Sequence, residues 1–144
     1  AGTNRLLKLQ QAFARNDTRT LSALLEGVAN DAKTQRPGDV SLDFTYQVAW
    51  LKTAMGDTAD AVRQLDRALG ALPSLSALSL HDAASAAAAG RAMALRAELA
   101  NARGEVEVRK KWARAVAELW ATADRPLQPV VARMRTLAVQ GNQK

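Results

Sequence analysis

Residues 42–73 of this chain read LDFTYQVAWLKTAMGDTADAVRQLDRALGALP. Before Gly56-Asp57, four apolar residues recur at the i, i+4, i+7 and i+11 spacing of one helix face: Phe44, Val48, Leu51 and Met55. After it, a second helical stripe runs to Pro73 and consists of Ala61, Val62, Leu65, Ala68 and Leu69. The stretch therefore predicts two helices joined by a tight turn at a glycine.

The rest of the chain repeats this alternation of helical stripes and breaks. Ala and Leu dominate the 144 residues, and aromatic residues make up only 4%, a mixture that favours helix over sheet. The stripes predict seven helices and no strand, at about 3–15, 21–28, 42–55, 61–69, 80–103, 105–124 and 127–139. We therefore predict one all-α domain, 1–144, of antiparallel helix pairs, because short connections make consecutive helices antiparallel neighbours.

Residues 42–73 resemble a tetratricopeptide repeat. The residues that carry the resemblance are the turn Gly56-Asp57, then Ala61, Leu65, Ala68-Leu69 and Pro73. The physical reasons agree with the pattern: glycine permits the tight turn, the alanines let two helix backbones approach closely, and proline stops the second helix. The resemblance implies a short α-α superhelix in which each helix pair stacks on the next.

Two further stretches resemble degenerate copies of this repeat, at 3–33 and 86–124. The first copy turns at Asn16-Asp17, and larger residues replace the expected small ones: Leu21, Leu25 and Val28. In the second copy Arg109 stands where Ala61 stands in the clear repeat. Both copies thus depart from the family pattern at positions that are expected to be buried.

The position of the third turn has two candidates, Gly90 and Gly104. With Gly104, the three turns are 40 and 48 residues apart, whereas the family's period is 34 residues. Gly90 follows Gly56 at that period, but no other turn residue accompanies it. We therefore favour Gly104 and expect a superhelix that is less regular than the family's.

The resemblance also implies a binding groove. In this family the first helix of each repeat lines a concave surface that holds a peptide or protein segment. Carried over to the clear repeat and to the third, this implies eight groove residues: Asp43, Tyr46, Gln47, Trp50, Thr53, Arg91, Glu98 and Asn101.

The spacing of Tyr46, Trp50 and Thr53 supports such a surface independently of the family. They recur at i, i+4 and i+7, on a different side of the helix from the stripe that begins at Phe44. Tyr and Trp are suited to binding hot spots, and a large aromatic residue packs equally well against a neighbouring repeat. For Trp50, ligand binding and packing against a neighbouring repeat both remain open. Arg91 either forms a bidentate bond to a carboxylate or is a solvated side chain.

The sequence contains no recognisable catalytic, metal or cofactor site. His81 is the only histidine, there is no cysteine, and no nucleophile motif accompanies the histidine, so His81-Asp82 is better explained as the start of the fifth helix. The acidic residues are scattered, and no glycine-rich phosphate loop occurs. We therefore predict a protein that is not an enzyme and holds no metal or cofactor.

The net charge of +6 lies in the second half of the chain. Residues 1–82 carry nine basic and nine acidic residues, and residues 83–144 carry eleven and five. The cluster Arg109-Lys110-Lys111-Arg114 would suit an acidic protein, a nucleic acid or anionic lipid, although solvated helix faces explain it as well. No aromatic residue interleaves with these charges and Trp112 is expected to face the core, which argues against nucleic acid. Trp120 is expected to form a lid or to contact the last helix.

The alanine-rich stretch 83–102 is not expected to span a membrane, because Arg91, Arg96 and Glu98 interrupt it. The first residue is not Met, so we expect an excised or processed piece of a longer protein. The absence of cysteine suits both a cytoplasmic and a periplasmic location, and the sequence leaves this choice open.

These observations predict a protein-interaction or sensor module that binds a peptide or protein in a groove around Tyr46 and Trp50. The end of the chain, from Leu119-Trp120 to Pro129, is faintly similar to helical regions appended to bacterial serine/threonine kinases, which implies a scaffold within a larger bacterial signalling protein. Two alternatives remain open. One is a self-assembly module that pairs two copies through the aromatic face, and the other is a small-ligand sensor with a pocket between helices.

Overall fold

A computed structural model describes residues 2–36, 41–74 and 83–141, and these residues form an all-α fold. Seven α-helices and no strand occur in these ranges, as predicted: α1 (Gly2–Ala14), α2 (Thr18–Thr34), α3 (Leu42–Ala54), α4 (Thr58–Gly70), α5 (Ala83–Ala102), α6 (Val106–Leu119) and α7 (Gln128–Val139). Short 3₁₀ turns at Leu72–Ser74 and Arg125–Leu127 follow α4 and precede α7.

The turns within the pairs α1/α2, α3/α4 and α5/α6 share one backbone motif. A residue in the left-handed region ends the first helix of each pair, with φ of 56° at Asn16, 86° at Gly56 and 70° at Gly104. In all three turns the next amide donates to the carbonyl five residues earlier at 2.9 Å, which is the Schellman pattern of a helix end. The third turn is therefore at Gly104, as favoured from the sequence, and Gly90 lies inside α5.

Each pair packs on the next through its first helix. Within pairs α1 contacts α2, α3 contacts α4 and α5 contacts α6; between pairs α1 contacts α3, and α5 contacts both α3 and α4. The last helix, α7, packs on α5 and α6. Three clusters of buried residues follow this order along the chain, and the largest fully buried side chains are Leu9, Leu65, Leu69, Met134, Leu137, Val48, Val116 and Val131.

Several predicted boundaries are corrected. The fourth helix begins at Thr58 instead of near residue 61, and it ends at Gly70, before Pro73, which lies in the following 3₁₀ turn. The sixth helix ends at Leu119 and not near residue 124. Met55 was expected on the buried stripe of α3 but is 37% exposed, because the helix has already ended where this residue caps it. The predicted helix start at His81-Asp82 lies outside the described residues.

Arg109 does not belong to the predicted basic surface cluster. Arg109 is only 4% exposed, because its side chain extends from α6 to the end of α7. There its Nε donates to the carbonyl of Leu137 at 3.1 Å, and its Nη2 donates to the carbonyl of Gln140. The last carbonyls of a helix have no partner within the helix, so this buried guanidinium caps α7. Lys111 and Arg114 are exposed as predicted.

Gly90 allows Trp120 to approach the backbone of α5. A Cβ atom at position 90 would lie 2.3 Å from Cζ2 of the Trp120 indole, which is far inside van der Waals contact. The same indole packs against the buried cluster that includes Met134 of α7. Trp120 therefore lies against α5 and against a cluster to which α7 contributes, and it fixes the identity of residue 90. Its two expected roles, a lid or a contact for the last helix, stay predictions.

Candidate binding groove

An open groove lies among the first helices of the three pairs. We call it the α1/α3/α5 groove, and it has a volume of about 370 Å³. The residues that line it are Gln10, Phe13, Tyr46, Gln47, Trp50, Leu51 and Arg91. This volume is at the lower end of the range of about 300–1,000 Å³ that is typical of ligand sites.

Helix α3 positions Tyr46 and Trp50, because neighbouring helices cover two other sides of α3. On one side Val48 and Leu51 are buried with residues of α1 and α2, and on another side Ala49 is buried with residues of α4 and α5. The strip between these two sides is left to solvent, and Trp50 lies on it with 45% of its surface exposed. Tyr46, one turn earlier, is half-buried.

The Trp50 ring is held by a second aromatic residue. Phe13, in the last turn of α1, lies edge-on to it, with ring centroids 5.5 Å apart and an interplanar angle of 71°. This geometry is favourable for aromatic pairs and is worth about 0.5–1.5 kcal/mol beyond the area that it buries. Trp50 therefore packs against the neighbouring pair, as one of its predicted roles requires, and still presents a face to the groove. Its predicted role in binding stays a prediction.

A chain of side-chain hydrogen bonds forms the polar part of the groove. Gln10 Nε2 donates to Gln47 Oε1 at 2.8 Å, and Gln47 Nε2 donates to Asp43 Oδ2 at 2.9 Å. An amide offers two N–H donors and two acceptor lone pairs, so the exposed Gln10 amide keeps donor and acceptor capacity for a ligand. Asp43 does not line the groove itself but orients Gln47.

Among the described residues that line the groove, only Arg91 has a charged side chain. It is exposed, and no side chain in the described ranges pairs with it. Three other arginines of the second half are already paired: Arg96 with Asp66 of α4, Arg109 with the carbonyls at the end of α7, and Arg133 with Glu98 of α5. An unpaired guanidinium beside an aromatic surface can form a bidentate bond to a carboxylate.

The structure brings together four of the eight predicted groove residues: Tyr46, Gln47, Trp50 and Arg91. Three others do not line the groove. The Thr53 hydroxyl donates to the Ala49 carbonyl of its own helix, Glu98 forms a two-point ion pair with Arg133 of α7 at 2.8 and 3.0 Å, and Asn101 accepts from Arg109.

Sequence reasoning missed Gln10, Phe13 and Leu51. A signal for the first two was present, because aligning the turns at Asn16 and Gly56 places Gln10 at the position of Trp50 and Phe13 at that of Thr53. Leu51 was assigned to the core stripe, where it does lie, and it also lines the groove.

The described ranges hold no cluster of three or more His, Asp or Glu side chains that could bind a metal ion. No helix within those ranges has the length and apolar character that are needed to cross a membrane. Comparisons with family models, with curated proteins and with solved structures find no match for this chain.

Proposed function

We propose that this chain is a non-enzymatic protein-interaction module that binds a segment of a partner protein in the α1/α3/α5 groove. The observation that carries the proposal is Trp50, which is 45% exposed at the centre of the groove and is held in place by Phe13. An exposed aromatic side chain that is already ordered loses little conformational entropy on binding, so its contacts contribute more to affinity. The resemblance to tetratricopeptide repeats supports the same conclusion. On the faint similarity of residues 119–129 to helical regions appended to bacterial serine/threonine kinases, and on that alone, we also propose a scaffold role within a larger bacterial signalling protein.

The shape of the groove favours a polypeptide over a small molecule. Sites for small ligands typically bury 70–90% of the ligand surface. Here Gln10 and Trp50 are exposed, and the groove is open along three helices. A peptide segment can insert one or two side chains and leave the remainder of its surface in solvent.

Selection from a displayed library of random 12-residue peptides tests this proposal. We expect enriched peptides to bind the wild-type domain and to lose about 30-fold in affinity for the Tyr46→Ala/Trp50→Ala variant, as expected for central hot-spot residues. Isothermal titration calorimetry measures the affinities, and circular dichroism checks that the variant folds.

Leu119→Ala is the matched control, because Leu119 is 50% exposed on α6 and does not line the groove. It should leave the peptide affinity unchanged. A selection that enriches no peptide, or enriched peptides that bind the double variant as tightly as the wild type, would contradict the proposal.

A further inference from the structure

We infer that the occupant of the α1/α3/α5 groove is an extended, acidic segment of a partner protein that carries one large apolar side chain. This inference rests on the proposed function and names the chemistry of the ligand. It commits to three contacts: a side-chain carboxylate on Arg91, an apolar side chain between the aromatic rings, and a backbone peptide group on Gln10.

Charge complementarity selects the acidic residue. Within the described ranges, Arg91 is the only charged residue that lines the groove, and it has no partner. The acidic side chain that a groove residue engages, Asp43, already accepts from Gln47. A carboxylate on the ligand would therefore meet a guanidinium that has no competing counter-ion, and such charge-assisted bonds are the stronger class of hydrogen bond.

The aromatic rings select the apolar residue. Phe13 and Trp50 meet edge to face, and Tyr46 lies one helical turn from Trp50. Phe13 is 38% exposed and Trp50 is 45% exposed, so a substantial apolar surface borders the groove in the unbound protein. A ligand side chain that covers these rings gains the burial of apolar area without first displacing a protein side chain.

The Gln10 amide selects an extended backbone. One of its N–H groups donates to Gln47, which leaves a second N–H and the carbonyl oxygen for the ligand. A donor beside an acceptor matches one peptide group of an extended chain. A helical ligand has already bonded those groups internally and would leave Gln10 unpaired.

The carboxylate is assigned to an Asp or Glu side chain and not to a chain terminus. Terminal carboxylates are commonly captured in nests of backbone N–H groups, which need residues with positive φ. The positive-φ residues in the described ranges, Asn16, Gly56 and Gly104, lie in the turns, and none of them lines the groove. A second copy of this chain is a poor occupant because its net charge is also +6.

The composition of the selected peptides is the first test. Sequencing of the enriched library should show an excess of Asp and Glu beside a large apolar residue, relative to the input library. Enrichment without an acidic excess would overturn this inference and leave the peptide-binding function standing. Failure to enrich any peptide would instead remove the proposed function itself.

Matched synthetic peptides are the second test. The most enriched peptide is prepared with amidated C-terminus, and again with its Asp and Glu replaced by Asn and Gln. In calorimetry we expect the acidic form to bind the wild type about tenfold more tightly than the amide form. Arg91→Gln should abolish this preference, and Arg135→Gln should keep it, because Arg135 is an exposed arginine of α7 outside the groove.

Three results would overturn the inference. One is an equal affinity of the acidic and amide peptides for the wild type. Another is a preference that survives Arg91→Gln, because the carboxylate would then bind elsewhere. The third is stronger Arg91-dependent binding of a twelve-nucleotide oligothymidylate than of the acidic peptide, which would assign the groove to nucleic acid.

Discussion

The second and third helix pairs share one turn geometry and use the same positions in opposite ways. When Gly56 and Gly104 are aligned, Trp50 corresponds to Glu98 and Thr53 to Asn101. In the second pair the tryptophan faces the open groove. In the third pair the equivalent glutamate is paired with α7, and the asparagine accepts from the arginine that caps α7. The comparison teaches that attachment of the last helix engages two groove-facing positions of the third pair, Glu98 and Asn101, whereas Arg91 of that pair still lines the groove.

The buried residue that follows each turn in the second helix of the pair also differs between the two pairs. Ala61 in the second pair is fully buried and lets the neighbouring helix approach, whereas the equivalent Arg109 reaches the carbonyl groups at the end of α7. A small residue at this position therefore lets two helix pairs pack closely, whereas a long cationic residue binds the end of a terminal helix. The departure of Arg109 from the repeat pattern has this physical explanation.

Replacing Arg109 should have the largest effect on stability, because it removes the attachment that distinguishes the third pair. We expect Arg109→Ala to lower the free energy of unfolding by about 3 kcal/mol, since hydrogen bonds to charged groups are lost and buried volume is emptied. Urea denaturation measures this change, and hydrogen exchange should show faster exchange in α7. Arg135→Ala, on the exposed side of α7, should stay within about 0.5 kcal/mol of wild type. Equal urea midpoints for the two variants would contradict the capping role.

Replacing a glycine by alanine should have the second largest effect on stability, with a sign that depends on the site. Gly90→Ala places a methyl group against the Trp120 indole, so we expect a loss of about 1–3 kcal/mol from overpacking. Gly70→Ala in α4 meets no atom within 4 Å and should instead be neutral or stabilising by up to about 1 kcal/mol. Thermal unfolding of both variants measures whether their melting temperatures shift in different directions. If both variants shift the melting temperature in the same direction, the Trp120 contact does not decide residue 90.

The third comparison is between the turn residues Asp57 and Glu105, and a substitution there is expected to change stability least. Asp57 accepts from the backbone of Asp60 and caps α4, whereas Glu105 makes no such cap and instead accepts from Arg96 at 2.8 Å and Arg103 at 2.6 Å. The hydrogen bond from Arg96 holds the pKa of Glu105 below its ordinary value of 4.5. A carboxylate with a lowered pKa stabilises the fold above that ordinary value and loses the contribution as the pH falls through the folded-state pKa.

We therefore expect Glu105→Gln to lower stability by about 1 kcal/mol at pH 7, because the pair with Arg96 is partly exposed on the glutamate side. The difference from wild type should shrink as the pH falls below 4.5. Urea midpoints measured from pH 7 to pH 3 follow this change, with Glu98→Gln, which breaks an exposed pair, as the control. A difference that stays constant with pH would show that the Glu105 charge is not responsible.

The sequence predicted the helices and the turns because those depend on local chemistry. The Gly56 and Gly104 turns need a left-handed residue, and the apolar stripes need a neighbouring helix, so both leave a local pattern. Arg91 was assigned to the groove from the same turn alignment. The role of Arg109 left no such pattern, because it depends on where α7 ends in space. Phe13 was missed, because the sequence does not show that the groove extends to the first pair.

The contact between Gly90 and Trp120 also constrains the order in which this protein can acquire substitutions. A larger residue at position 90 clashes while the indole is in place, and a smaller residue at position 120 leaves the glycine facing a void. Each single change is thus unfavourable, whereas the pair of changes relieves the clash and fills the space. Residues on two different helices are therefore expected to show sign epistasis, and a library that varies only one of them will misjudge what the other tolerates.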